Sequence, residues 1–263
     1  MPARDDAPPG FVRASLDGVD AVCRPHLEPT LRTALVAGTL YDYARSQSEA
    51  RRLTGRAPVF AIPFPDASQR VVIRHNHHGG AFARLTRDLF RAPGRAPIEL
   101  AISERLRALR VPTPEFAAYA IYRAPLALCR SDVATMEIAD SFDLSAALMS
   151  DDAVLREQAW GAALRLVHTL SAAGARHADL NVKNVLLRPG VEFALDAIVL
   201  DVDRVVFGGG FEQLREANLA RLLRSARKWR DLHGARLSDA ELSRVQSAAR
   251  ANDVSAPARV RTP

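Results

Sequence analysis

The sequence predicts an α+β fold of two lobes, a small β-rich N-lobe with one key helix and a larger, mainly helical C-lobe. Three observations predict it. Up to about Ile138 the apolar runs are short and broken by turn formers, with one stretch of three-to-four spacing among them. Beyond Asp140 the apolar residues fall at helical spacing, and the remaining strand signals form one compact pair. The 263 residues, 48% hydrophobic and 25% charged, give an ordinary globular balance at a length that suits one large domain or two lobes.

Residues 1–10, rich in proline and charge, predict a loose tail, and residues 255–263 predict another. The N-lobe spans 11–138. From Phe11 to about Ile73 the pieces Val59–Ile62 and Val71–Ile73, set among turn formers such as Thr54-Gly55-Arg56, read as antiparallel strands joined by loops. Pro97 at a first helical position, followed by Ile98, Ile102, Leu106 and Leu109, predicts a helix that stops before Pro112 and Pro114. Two runs too short for helices follow, Ala117–Tyr122 and Ala134–Ile138, and complete the lobe as strands. The C-lobe spans 139–254. Leu155, Ala159, Ala162, Ala163, Leu166 and Leu170 trace one helical face, and Gly174 supplies a left-handed stop. Val185–Leu187 and Ala197–Leu200, around the turn Arg188-Pro189-Gly190, predict a hairpin. A helix around Leu214–Arg230 sets Leu219, Leu222, Leu223 and Ala226 on one side and Arg221, Arg224 and Lys228 on another.

The net charge is +6, and among the basic residues only Lys183 and Lys228 are lysines. An arginine-rich surface suits phosphate, carboxylate and anionic headgroups, although a GC-rich genome gives the same composition. With 6% aromatic residues and no matching motif, no nucleic-acid partner is expected. Cys23 and Cys129 lack the close spacing of a zinc or redox pair and are read as reduced thiols. There is no apolar run of about 18 residues and no apolar leader at the N-terminus, so the chain is expected in the cytoplasm.

The most specific stretch is His177-Ala178-Asp179-Leu180-Asn181-Val182-Lys183-Asn184, followed by the hairpin and Leu200-Asp201-Val202-Asp203. Phosphoryl transfer needs a carboxylate to orient the attacking hydroxyl. It also needs an amide oxygen and a second carboxylate to hold magnesium against the phosphates. Asp179, Asn184 and Asp201 supply those three types at one edge of a hairpin, whereas each alone would be an ordinary cap or turn residue.

This stretch resembles the catalytic loop of the protein-kinase-like superfamily, and the surrounding words resemble the Kdo/WaaP lipopolysaccharide kinase family, the Kdo kinases most of all. HADLNVKNVLL at 177–187 and VLDVDR at 199–204 carry the likeness, with VVIRHNHHGG at 71–80, ELAISERLRALRVPTP at 99–114 and NLARLLRSARK at 218–228. The resemblance implies a bilobal protein-kinase-like fold and transfer of a phosphoryl group from ATP, with Mg2+, to a sugar hydroxyl of lipopolysaccharide inner core, Kdo on lipid A in particular. It makes Asp179 the catalytic carboxylate and Asn184 and Asp201 the metal ligands. Arg74 falls where kinases place the strand lysine that holds the nucleotide phosphates, and Glu99 falls at its helix partner, with Glu104 the next acid along. Read otherwise, Arg74 is a solvent-facing strand residue. A glycolipid acceptor made at the inner membrane also makes peripheral contact with anionic lipid an expectation, through the basic helix face.

The sequence departs from the family pattern in several places. The phosphate loop is reduced to Gly55-Arg56-Ala57-Pro58, so Gly55 and Arg56 are the cofactor-binding candidates there. Asn181 stands where protein kinases have the loop lysine and either hydrogen-bonds Asp179 in catalysis or caps a turn. Val202 replaces an aromatic residue, and Asp203 either binds backbone or a second metal or pairs with Arg204. His75, His77 and His78 invite a metal reading, although one short segment converges poorly on an ion. Two other functions fit the same residues: a kinase of another acceptor (a heptose, a small sugar or a protein Ser/Thr), and a pseudokinase that binds nucleotide or glycolipid.

Overall fold

The computed structural model describes residues 7–53, 58–65, 67, 69–77, 88–190 and 194–251. They fall into two units, the first running to Ala101 and including Glu115–Glu137, the second made of Ile102–Pro114 and the chain from Ile138. The segment Ile102–Pro114, left in the N-lobe by the sequence reading, belongs with the second unit. Leu106 and Val111 are buried in that unit's core, and the Val199 N–H donates to the Pro112 carbonyl at 2.9 Å.

The first unit is built on an antiparallel sheet. Its strands are β1 (Val12–Arg13), β2 (Val19–Cys23), β3 (Arg51–Leu53), β4 (Val59–Pro63), β5 (Arg70–His75), β6 (Phe90–Arg91), β7 (Phe116–Ala124) and β8 (Leu128–Met136). They lie in the order β1-β2-β7-β8-β5-β4-β3, with β6 also paired to β8. Alternation works as the pleat requires, since Val71 and Ile73 of β5 are buried while their neighbours are half-buried. The predicted strand at 134–138 lies further back, at Leu128–Met136. Cys129, Ser131 and Asp132 hid its first half, yet all three are buried.

Two helices stand where the sequence reading has only strands and loops. They are α1 (Glu28–Ala37), opened by Pro29 in its first turn, and α2 (Leu40–Ser46), capped by Thr39. The predicted helix exists as α3 (Ala96–Ala108), but its buried side carries Leu100, Ser103 and Leu106 with Glu99, and Ile98 and Leu109 are exposed. Residues 7–10 of the predicted tail are partly engaged, because Ala7 packs on the Phe11–Phe116 cluster and the Phe11 N–H donates to the Pro8 carbonyl at 3.0 Å. Both cysteines are buried and free.

The second unit holds β9 (Phe142–Asp143), α4 (Leu144–Met149), α5 (Ala153–Ala172), β10 (Ala175–His177), β11 (Val185–Pro189), β12 (Leu195–Val199), β13 (Val205–Phe207), α6 (Phe211–His233) and α7 (Asp239–Arg250). Helix α5 starts where the Asp152 carboxylate accepts the N–H groups of Val154 and Leu155 at 2.8 and 3.2 Å, and it ends before Gly174 at φ 68°. Its stripe Ala159, Ala162, Ala163, Leu166 and Leu170 packs with Leu219, Leu222, Leu223 and Ala226 of α6, the faces the spacing predicts. Strands β11 and β12 form the predicted antiparallel hairpin, β9 adds to β11, and β10 pairs separately with β13.

Candidate active site

Two loops of the second unit carry the residues with chemistry. The first, from β10 to β11, brings Asp179, Asn181 and Asn184; the second, from β12 to β13, brings Asp201. Leu180 and Val182 fasten the first loop by burying their side chains, at 0% and 1% exposure, and leave Asn181 between them half-buried. The hairpin then sets the ends together, because Val185 pairs with Val199 and the Leu200 N–H donates to the Asn184 carbonyl at 2.9 Å.

His177 is the clamp between the loops, a role its place in the motif does not reveal. Its Nδ1 accepts the Asp179 N–H at 3.2 Å, so Nε2 carries the proton and donates to the Leu200 carbonyl at 2.9 Å. Burial pushes its pKa below the ordinary histidine value, outweighing the hydrogen bond and the carboxylates of Asp201, Asp179 and Asp203, which favour the charged form. The ring therefore stays neutral in the tautomer both contacts need. A third tie runs from the Ala178 N–H to the Arg204 carbonyl at 3.1 Å.

Asp201 adopts a left-handed backbone, φ 54° and ψ 47°, which is uncommon for any residue with a side chain. Its exposed carboxylate bonds no described residue, so nothing in the local structure repays that conformation. Strain of this kind concentrates where a side chain must be aimed. Val202, after it, is buried in the unit's core and fills the place of the aromatic residue of the family pattern. Asp203 lies 3.9 Å from Arg204.

Asn184 is buried and donates Nδ2 to the Asp179 carbonyl at 3.0 Å, which leaves Oδ1 with no described partner. Asn181 takes the turn-capping role. Its Oδ1 accepts the N–H groups of Lys183 and Asn184 at 2.9 and 3.2 Å, and Nδ2 donates to the Asp179 carbonyl at 3.1 Å. Both ends of this amide are spent on backbone, so Asn181 shapes the loop and does not hold the Asp179 carboxylate. That carboxylate instead accepts from Arg221 of α6.

In the first unit Arg74 is not a solvent-facing strand residue. Its guanidinium pairs with the buried carboxylate of Glu99 and donates to Asn76 Oδ1 at 2.5 Å, and Asn76 Nδ2 donates to Ser131 Oγ at 3.0 Å. Glu99 is thus the helix partner. Glu104 faces Arg107 instead, at 4.0 Å. Gly55 and Arg56 lie outside the described residues, as do His78, Gly79 and Gly80. The metal reading of the histidines fails at His75, since Nδ1 lies 2.5 Å from Asp132 and Nε2 3.2 Å from Asp88, leaving no ring nitrogen for an ion. Among the described residues no group of three His, Cys, Asp or Glu side chains could hold a metal.

Residues 49–248 match the profile of the Lipopolysaccharide kinase (Kdo/WaaP) family. A 3-deoxy-D-manno-octulosonic acid kinase of Xanthomonas campestris pv. campestris (strain B100) is 33% identical over 199 residues, 72% of each chain. One of Xylella fastidiosa (strain M12) is 31% identical over 189 residues, covering 70% of this chain and 71% of that one. The solved structure "WaaP in complex with acyl carrier protein" aligns with 87% of this chain and 98% of that one at 18% identity, with a TM-score of 0.48. A family match over most of the chain and relatives named as kinases make this a phosphotransferase of the kinase class. More narrowly, the chain belongs to the lipopolysaccharide kinase (Kdo/WaaP) family.

Proposed function

We propose that this kinase transfers the γ-phosphoryl group of ATP to a hydroxyl of Kdo (3-deoxy-D-manno-octulosonic acid) on lipid A, in the lipopolysaccharide inner core. The observation that carries the reading is the lacing of two loops that bring Asp179, Asn184 and Asp201 to one end of a hairpin. The relatives named as 3-deoxy-D-manno-octulosonic acid kinases support the choice of sugar.

Magnesium fits the residues present. It takes hard oxygen ligands, and Asn184 Oδ1 and the Asp201 carboxylate are two such groups that no described residue occupies. Bound there, the ion supplies charge neutralisation for the nucleotide phosphates. Asp179 aligns the acceptor hydroxyl and takes its proton as the new oxygen–phosphorus bond forms; the bond to the ADP oxygen breaks, and ADP leaves with that electron pair. Catalysis of this kind rests on positioning and charge rather than on a covalent intermediate.

Arg74 holds the nucleotide phosphates, with Glu99 fixing the guanidinium. A charge-assisted contact contributes roughly 1.5–3 kcal/mol, so Arg74→Ala is expected to weaken ATP binding about 10- to 100-fold. Glu99→Gln, which frees the guanidinium without removing it, should weaken binding less. Titration calorimetry of ATP with magnesium checks this, and an Arg74→Ala affinity within twofold of wild type would return Arg74 to a structural role.

The kinase works on the cytoplasmic face of the inner membrane by peripheral contact. No helix among the described residues is long and apolar enough to cross a membrane. Arg224, Arg227 and Lys228 of α6 are exposed and suit anionic headgroups, whereas Arg221, predicted for that face, is turned to Asp179. The test is transfer of labelled γ-phosphate from ATP to Kdo–lipid A in anionic vesicles, with co-sedimentation read in the same tubes. Wild type should transfer and Asp179→Ala should lose at least about 10²-fold, the lower end of what a positioned base contributes. Transfer only to heptosylated core or a small sugar would move the acceptor, and magnesium-dependent ATP binding without transfer to any sugar would favour a pseudokinase.

A further inference from the structure

We propose that Arg221 is a positioning residue for phosphoryl transfer, supplying from helix α6 the cation that holds the Asp179 carboxylate toward the acceptor hydroxyl. The inference rests on the reading of Asp179 given above. The loop has no cation of its own free for this task. Asn181 is neutral and occupied by backbone, and Lys183, two residues on, donates to Asp143 Oδ2 at 2.8 Å with its ammonium 5.3 Å from the Trp229 ring centroid. The Asp179 carboxylate accepts instead from the Arg221 guanidinium.

Helix α6 is built to deliver that group. Asn218, Arg221, Ser225 and Trp229 recur at spacings of three, four and four, so they share one helical face. Each touches the catalytic segment in chain order. Asn218 Oδ1 accepts the His177 N–H at 2.9 Å, and its Nδ2 donates to the Ala175 carbonyl at 3.0 Å. Arg221 meets Asp179, Ser225 Oγ accepts the Val182 N–H at 3.2 Å, and Trp229 lies beside Lys183. Another face of the helix, Leu219, Leu222, Leu223 and Ala226, is anchored in the core. Loop and guanidinium are therefore fixed to one rigid element.

Stability does not explain the pair. The side chains are 38% and 37% exposed, and ion pairs that open to water contribute little to folding. Yet Arg221 Nε is buried with no hydrogen-bond partner among the described residues, a cost the fold tolerates to bring the guanidinium to this carboxylate. A carboxylate left to swing on its own side-chain bonds loses the aligned geometry from which positioning catalysis comes.

Arg221→Ala is expected to lower kcat about 10²-fold while KM for ATP and for the acceptor stays within about threefold, with the melting temperature within a few degrees of wild type. Arg221→Lys, which keeps charge but not the planar fork, should fall between the two. Guanidinium ion at millimolar concentration should restore part of the Arg221→Ala rate and none of the Asp179→Ala rate. A readout independent of turnover is rotation of the Arg221 guanidinium by NMR without substrates, expected slow in wild type and fast in Asp179→Asn. Full activity in Arg221→Ala, where Asp179→Ala is dead, would overturn the proposal and leave the kinase reading standing. A raised acceptor KM at unchanged kcat would overturn it too, making Arg221 a substrate-binding group. Activity that survives Asp179→Ala would instead sink the reading of Asp179, and this inference with it.

Discussion

Replacing Asp201 by Asn is expected to lower phosphoryl transfer by about 10³-fold or more, equal to about 4 kcal/mol of transition-state stabilisation, while the protein stays folded. Lost activity and kept stability have separate causes. Asp201 holds a left-handed backbone at φ 54°, a conformation that Asn accepts more readily than most residues, so the substitution leaves the turn intact. The carboxylate has no described partner to lose, which keeps the stability change within about 0.5 kcal/mol, as for an ordinary surface substitution. What disappears is a full negative charge at the place proposed for magnesium, where the amide oxygen that remains is a much weaker ligand for a hard cation. Asp201→Ala should cost the same activity and some stability besides, because Ala bears the left-handed strain without the side chain that tolerates it. Initial rates across a magnesium titration, with melting temperatures recorded beside them, decide the matter. An Asn variant that keeps more than a tenth of the wild-type rate at saturating magnesium would remove Asp201 from the metal site.

This part of the protein is readable from sequence because its information is local. His177 to Asp203 is one continuous stretch, and the hairpin that joins its two ends is announced by Arg188-Pro189-Gly190 between apolar runs. The long helix α5 is readable for the same reason, its stripe repeating over 20 residues between Asp152 and Gly174. Where the determinants are distant the reading fails. Helix α2 has seven residues, too few to stand alone, and its first N–H groups are received by Tyr122 and Asp132, 82 and 91 positions away. The first half of β8 looks polar and is buried because its Ser131 and Asp132 find partners on other elements. Arg221 lies 42 positions from Asp179, so helical periodicity sets it on the polar face of α6 without saying what that face meets. The spacing of Asn218, Arg221 and Ser225 was the available signal, a polar stripe beside the apolar one.

Asp132→Ala should destabilise the β-rich unit by roughly 3–5 kcal/mol, a large share of the 5–15 kcal/mol that holds a typical domain folded. Asp132 is fully buried and accepts from three groups: the Tyr41 N–H at 2.9 Å, the Tyr122 hydroxyl at 2.8 Å and His75 Nδ1 at 2.5 Å. Truncation strands all three, and the Leu40 N–H, which donates to the Tyr122 oxygen at 2.7 Å, loses a fixed acceptor with them. The damage should reach Arg74, the residue proposed to hold the nucleotide phosphates. Asp132 pairs with His75 in the β5–β8 register, next to the pair that carries Arg74 and Val133, and strand alternation puts Arg74 and Asn76 on the other face from His75. His75 makes the effect depend on pH. Burial disfavours its charged form, but the hydrogen bonds and charges of Asp132 and Asp88 outweigh it and raise the pKa above 6.5; Tyr41 and His77 pack on the same ring, and Arg130 reaches it through Asp88. A histidine whose pKa is higher folded than unfolded adds stability that is complete below pH 6.5 and is lost as pH rises through the folded value. His75→Gln should therefore cost more stability at pH 5.5 than at pH 8.5. Urea unfolding of wild type and both variants at the two pH values measures it: a cost for Asp132→Ala under about 1 kcal/mol would show the carboxylate replaceable, and a His75→Gln cost that grows toward high pH would reverse the assigned direction of the shift.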